Sequence, residues 1–309
     1  MVGPPQSATV VITTRNRKGD LRNAVASAIA QIGKVEIVVI DDGSSDGTSE
    51  MIRSEFPQVR LVRHLDSRGL VVRRNEGARL ATGEVIFSID DDAEFTSPRT
   101  VQQTLREFDD PRIGAVAIPY VEPRKNNRVQ QRAPVADAIW VTDCYIGTSH
   151  AVRRDLFLRL GGYRERLVHQ GEEKDFCIRV LRAGRVVRLG RADVIHHYES
   201  PDRDTRRMDF FGRRNDLYFA WHYVPLLFLP LHLAATTLNG CVSVLRSRRP
   251  AQMLLGMLSG FAGGLREWGE RSPVPVAVYL LHRRLKKSGP CRLDDIEPLL
   301  PSASGAEAA

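Results

Sequence analysis

The strongest constraint in this chain is a run of strands and helices in strict alternation over its first hundred residues, with each strand ending in polar or acidic residues. Residues 8–13, 35–40, 59–62 and 85–89 are short, β-branched and largely apolar without a period of two, the pattern of strands buried on both faces. Residues 20–31, 48–56 and 70–81 carry helical spacing between them. Asp20, the Ser45/Asp46 pair and Ser97-Pro98 are the expected helix starts, and Gly83 follows the third helix.

Such β-α-β-α order implies a mostly parallel sheet with helices on both faces, an α/β fold whose ligands bind at the carboxyl ends of the strands. There the sequence places Thr13-Thr14-Arg15-Asn16, Asp41-Asp42-Gly43-Ser44 and Asp90-Asp91-Asp92. Three adjacent carboxylates repel one another, and a hard divalent cation such as Mg²⁺ or Mn²⁺ relieves that repulsion through oxygen ligands. Two Asp before Gly43 exceed what helix capping needs, and a carboxylate there can accept from a nucleobase N–H or a ribose hydroxyl.

After residue 113 the pattern loosens into strands at 115–119 and 144–152, a polar loop at 122–132, and helices after Arg153 and Gly171. Glu172, Glu173 and Asp175 open the second of these helices, where acids also complement the helix dipole. His196 and His197 close a strand at 192–195, and neighbouring strand residues point to opposite faces. His196 is the expected inward one.

Taken in order, V-V-I-T-T-R-N-R, I-V-V-I-D-D-G-S-S-D-G-T, R-N-E-G-A, G-E-V-I-F-S-I-D-D-D, G-G-Y-R-E and G-E-E-K-D resemble the family-2 inverting glycosyltransferases of the GT-A fold over residues 8–200. The resemblance implies that Thr13, Arg15 and Asp42 hold the nucleoside of a nucleotide-sugar donor, with Arg74 near the base or diphosphate. It matches Asp90 and Asp92 to the family's D-x-D, with Asp91 between them. Asp92 is then the direct ligand of Mg²⁺ or Mn²⁺, Asp90 stands nearer the ribose or sugar, and His196 is a late metal ligand. Glu172-Glu173 matches a Glu-Asp pair whose second member is the general base, so Glu173 takes that role although Asp is usual there, with Glu172 and Asp175 as the accompanying catalytic carboxylates. The Q-x-x-R-W motif of processive synthases is missing, with Arg213-Arg214-Asn215 in that stretch, which implies single transfers. The implied partners are a UDP-, dTDP- or GDP-linked sugar and a glycan or lipid-linked acceptor in cell-surface polysaccharide or glycolipid synthesis.

Two competing functions fit less well. A nucleotidyltransferase acting on sugar phosphates would carry a Gly-rich loop after the first strand, and a non-catalytic sugar-nucleotide-binding scaffold would have lost carboxylates. The 309 residues hold 45 Lys and Arg against 37 Asp and Glu, a formal charge of +8, which admits anionic partners, but no nucleic-acid-binding module accompanies it. Cys144, Cys177, Cys241 and Cys291 form no paired motif, and no signal peptide is visible, so a cytoplasmic protein is expected.

The expected organisation is a GT-A domain over 1–215 (nucleotide half 8–112, acceptor half 113–215), a helical apolar region over 216–290 and a disordered tail over 291–309. Residues 217–245 lack any charged side chain. As one helix they would reach about 43 Å at about 1.5 Å per residue. Pro225 and Pro230 interrupt the run, and arginines follow it, so an in-plane, peripheral association with the inner membrane face is expected rather than a span.

Overall fold

The structure, a computed structural model, describes residues 3–199, 204–247 and 249–302. The first half runs β1 (Ser7–Thr14), α1 (Lys18–Ile29), β2 (Lys34–Asp41), α2 (Thr48–Glu55), β3 (Arg60–Arg63), α3 (Leu70–Leu80) and β4 (Val85–Asp90). Then follow β5 (Ala93–Phe95), α4 (Thr100–Arg106), β6 (Ile113–Ala117), β7 (Tyr120–Val121), β8 (Trp140–Thr142), β9 (Ser149–Arg153), α5 (Arg154–Arg159), α6 (Glu172–Arg182), β10 (Val186–Leu189) and β11 (Ile195–His197). Helices α7 (Thr205–Tyr223), α8 (Leu229–Arg246), α9 (Pro250–Arg266) and α10 (Val276–Ser288) precede a last short strand, β12 (Cys291–Arg292).

The expected α/β sheet is present, in the order β12-β8-β10-β6-β9-β4-β1-β2-β3. Strands β3, β2, β1 and β4 run parallel, while β9 lies antiparallel between β4 and β6. Every residue of β1 after Ser7 is buried, as its unbroken apolar run requires. A second, small sheet, β5-β11-β7, stands beside the carboxyl end of β4 and carries the histidine pair.

Helix starts depart from the local reading because their caps come from other loops. Asp20 lies inside the first turn of α1 and does not cap it. The Lys18 N–H is taken instead by Asp46 Oδ2 at 3.1 Å, and Asp46 Oδ1 accepts from the Thr48 N–H at 3.1 Å, so one carboxylate serves the starts of both α1 and α2. Ser97-Pro98 does not open α4, which begins at Thr100. Its carbonyls receive the end of α1 instead, from Gln31 Nε2 at 2.8 Å and the Ile32 N–H at 2.9 Å.

The uncharged stretch breaks after Tyr223 and resumes as α8, and among the described residues no helix is long and apolar enough to cross a membrane. Leu217, Phe219 and Tyr223 of α7 join the apolar core that also contains β1 and α1. Helix α9 lies close against α7 because Gly256, Gly260, Gly263 and Gly264 face it. A Cβ at these positions would collide with Phe210, Leu217, Tyr218 and Trp221 in turn.

The expectation of a disordered tail fails over residues 291–302. Cys291 and Arg292 add an antiparallel strand to β8, and Leu293, Ile296 and Leu300 are buried in the main core. Residues 303–309 lie outside the described residues. Because Ile296 is 0% exposed and Leu299 48% exposed, Ile296→Ala should lower stability by about 2–4 kcal/mol in urea unfolding and Leu299→Ala by less than about 1 kcal/mol.

Candidate active site

The carboxyl end of β4 meets β11 through β5. Register pairs His196 with Glu94 and His197 with Ala93, which turns His197 inward. His197 Nε2 lies 3.4 Å from Asp92 Oδ1 and 4.0 Å from Asp90 Oδ2. One ligand atom from each of Asp90, Asp92 and His197 can be chosen within 4.8 Å of the others. On the far side of the ring, Nδ1 stands 3.5 Å from Glu122 Oε1, an acid placed to orient the imidazole. The expected metal ligand His196 is therefore corrected to His197. The His196 ring turns away to Tyr198, its Nδ1 3.2 Å from the phenol oxygen. Two carboxylates and an imidazole suit Mn²⁺ or Mg²⁺ and lack the thiolates that softer ions prefer.

Asp91 points the other way. Burial pushes its carboxyl up to about 7, opposed by Arg17 and by the hydroxyl of Thr14, which donates to Oδ2 at 2.8 Å. Arg17 Nη1 bridges Asp91 Oδ1 at 2.9 Å and Asp92 Oδ2 at 3.0 Å. Arg15, expected at the nucleoside, is exposed in this loop, while Arg17, just before α1 and not singled out from the sequence, is the one that reaches the acids. The repulsion among the three carboxylates could have pointed to an arginine as well as to a divalent ion, since the loop offers two.

Thr13 is buried and sits opposite Asp90 in the β1–β4 register. Asp42 is also buried but spends its acceptors inside the protein. Oδ1 takes the Arg68 N–H and Arg73 Nε, and Oδ2 takes the Ser67 hydroxyl and the Gly69 N–H, all within 2.6–2.8 Å. Burial works against its ionisation, yet these donors hold its pKa below the usual carboxylate range. Its visible work is to shape the loop that starts α3.

That helix delivers Arg74, which is 5% exposed and stands between the metal corner and the acids of α6. Its Nη2 donates to Asp90 Oδ1 at 2.6 Å and to the Gly147 carbonyl at 3.0 Å, while Nη1 lies 3.5 Å from Glu173 and 3.7 Å from Glu172. A Cβ at Gly147 would displace Glu173 Oε1 and the Arg74 guanidinium. Burial raises the pKa of both glutamates. For Glu173 the neighbouring Glu172 charge adds to that, and Arg74 pulls both back. Glu172 Oε2 is buried and accepts no hydrogen bond among the described residues. Glu173 keeps more of its side chain open, 18% against 3% for Glu172.

Asp175 does not join them. It lies one turn on from Glu172 and accepts from Tyr223 Oη at 2.9 Å and Arg179 Nη2 at 2.7 Å, so its part is to bind α6 to α7. Its expected catalytic role is corrected to a structural one. Sequence reasoning also missed a buried chain beneath Arg74: Tyr145 Oη lies 2.8 Å from Tyr163 Oη, which lies 2.9 Å from His150 Nε2. Burial, aided by Arg74, pushes the His150 pKa down to about 3, so the ring is neutral. A cleft of about 150 Å³ opens between α6 and α7, with Lys174, Asp175, Asp216 and Phe219 in its wall; Glu172 and Glu173 do not line it.

The family model described as Glycosyl transferase family 2 matches residues 9–186, more than half of the chain. A curated relative, the Pre-mycofactocin glycosyltransferase of Mycobacterium tuberculosis, is 27% identical over 230 residues, which cover 68% of this chain and 45% of that protein. The Glucosyl-dolichyl phosphate glucuronosyltransferase of Haloferax volcanii is 24% identical over 62% of this chain and 68% of its own length. Among solved structures, a mannosyltransferase from Pyrobaculum calidifontis, in complex with GDP-Man and Mn²⁺, is 21% identical. It superimposes with a TM-score of 0.57, covering 93% of this chain and 90% of its own. S. aureus TarS 1-349 does so at 0.60 with 16% identity, covering 95% and 90%.

The geometry separates the two histidines experimentally. In titrations with Mn²⁺ and a nucleoside diphosphate, His197→Ala should weaken metal affinity by about 10–100-fold, while His196→Ala should bind as the parent does.

Proposed function

Because the chain belongs to glycosyl transferase family 2, we propose that it is an inverting, metal-dependent, non-processive member. It would transfer one sugar from a UDP-, dTDP- or GDP-linked donor to a hydroxyl of a glycan or lipid-linked acceptor. The protein would act as a peripheral enzyme at the inner face of the cell membrane, in cell-surface polysaccharide or glycolipid synthesis. The observation that carries this reading is the Arg74 contact set, which ties Asp90 of the D-x-D to the carboxylate pair of α6.

In this reading Thr13 and the loops after β1 and β2 receive the nucleoside, and Asp42 ties the second of them to the loop that starts α3. Arg17 stands where a diphosphate would lie beside the acids. A divalent cation held by Asp90, Asp92 and His197 would offset the charge that develops on the leaving diphosphate. Glu173 would take the proton from the acceptor hydroxyl as it attacks the anomeric carbon from the face opposite the diphosphate. One direct displacement inverts that centre. Arg74 would fix the carboxylate and favour its ionised form. The nucleotidyltransferase and scaffold readings gain no support from this arrangement, which keeps every carboxylate the transfer needs.

Glu173→Gln should leave donor affinity in calorimetry near the parent value while initial transfer rates fall by about 10²-fold or more. Loss of activity in Glu172→Gln with Glu173→Gln intact would exchange the two roles. The base works ionised and its pKa is raised above the usual carboxylate value, so kcat/KM should fall as pH drops through that raised pKa. The acid limb therefore belongs at a higher pH than an ordinary glutamate would place it.

A further inference from the structure

Helices α8 and α9 are amphipathic in the unusual sense. Their solvent side is the apolar one. Leu231, Leu238 and Leu245 of α8 are 74%, 66% and 85% exposed, and Ala234, Ala235, Asn239, Cys241 and Val242 are exposed between them. On α9, Leu254, Leu258 and Leu265 also recur at helical spacing in the open. The inner sides are taken up by His232, which reaches Tyr279 of α10, and by the glycines of α9 against α7. An exposed apolar surface of this extent and continuity marks an interaction site on a folded protein.

Charge decides what covers it. From Leu217 to Arg266 the chain contains no Asp, Glu or Lys, while Arg246 stands exposed at the end of α8 and Arg266 at the end of α9. The hairpin thus has an arginine at either end and apolar side chains between. A second copy packed on this face would bring arginines against arginines in either direction. A bilayer with anionic headgroups offers acyl chains to the leucines and phosphate to the arginines at the same depth.

We propose that the outer faces of α8 and α9 form a docking surface that lies in the plane of an anionic membrane. The surface itself stands independently of the catalytic reading. Its purpose, presenting a lipid-linked acceptor, rests on that reading. Phe219 in the wall of the α6–α7 cleft has the His232 ring of α8 6.4 Å from its own, so the docked hairpin adjoins that cleft.

The test is co-flotation of the full chain with vesicles of phosphatidylcholine alone or mixed with phosphatidylglycerol. The parent should float with the mixed vesicles. Leu238→Glu with Leu258→Glu should reduce that binding by about tenfold or more, and Arg246→Glu with Arg266→Glu should reduce it to the level seen on neutral vesicles. A milder pair, Leu231→Gln with Leu265→Gln, guards against misfolding and should show the same direction. All variants should bind Mn²⁺ and a nucleoside diphosphate as the parent does. Failure of the parent to float, or unchanged flotation of the leucine variants, overturns the proposal. So does a lipid-free dimer that the leucine variants dissociate. A parent that floats but binds no nucleoside diphosphate would contradict the catalytic reading and leave the docking surface standing.

Discussion

A buried arginine facing acids from two directions is the interaction on which the site depends. Arg74 is held off the water by α3, β4 and the loop at Gly147, and its charge is compensated by Asp90 on one side and Glu172 and Glu173 on the other. Removing one partner from such a cluster leaves a buried charge without compensation, which commonly costs about 3–5 kcal/mol. The arrangement therefore fixes two functional corners relative to each other. The carboxyl end of β4 and the first turn of α6 are far apart in sequence, and one guanidinium makes them parts of one pocket.

Supporting residues spread outward from that point. Asn75, next to Arg74, holds the Tyr163 backbone through its side chain, accepting from its N–H at 2.8 Å and donating to its carbonyl at 2.8 Å. The Tyr163 phenol then meets His150 and Tyr145 under the guanidinium. Asp42 and Arg73 pair at 2.6 Å and set the loop from which α3 starts. Asp175, through Tyr223, ties the acidic helix to α7 and hence to the hairpin beyond it. The site is built on helices and strands whose own ends are pinned, the condition under which side chains hold catalytic geometry.

Much of this was legible in the sequence. Strands buried on both faces announce themselves by unbroken apolar runs, and their acidic ends located Asp90, Asp92 and the loop after β2. What stayed hidden was decided by distant partners. The start of α1 depends on Asp46, a residue of the next turn, so Asp20 looked like the cap and was not. The choice of His197 over His196 depends on pairing with β5, which a period-two reading of one strand cannot supply. Arg17 and Arg15 are equivalent in composition, and only the fold distinguishes them. The buried anchors Leu293, Ile296 and Leu300 are too sparse to form a pattern, and they find their places only because β8 offers an edge and the core offers room.

The most direct test of the account is the pH dependence of kcat/KM in Arg74→Met beside the parent, at saturating Mn²⁺. Arg74 favours the ionised forms of Glu172 and Glu173, so its loss should leave the carboxylate pair harder to ionise. The account predicts that the acid limb of the profile moves to higher pH in the variant, together with a lower plateau. A variant whose acid limb coincides with the parent's would contradict it, because Arg74 would then have no electrical hold on the base.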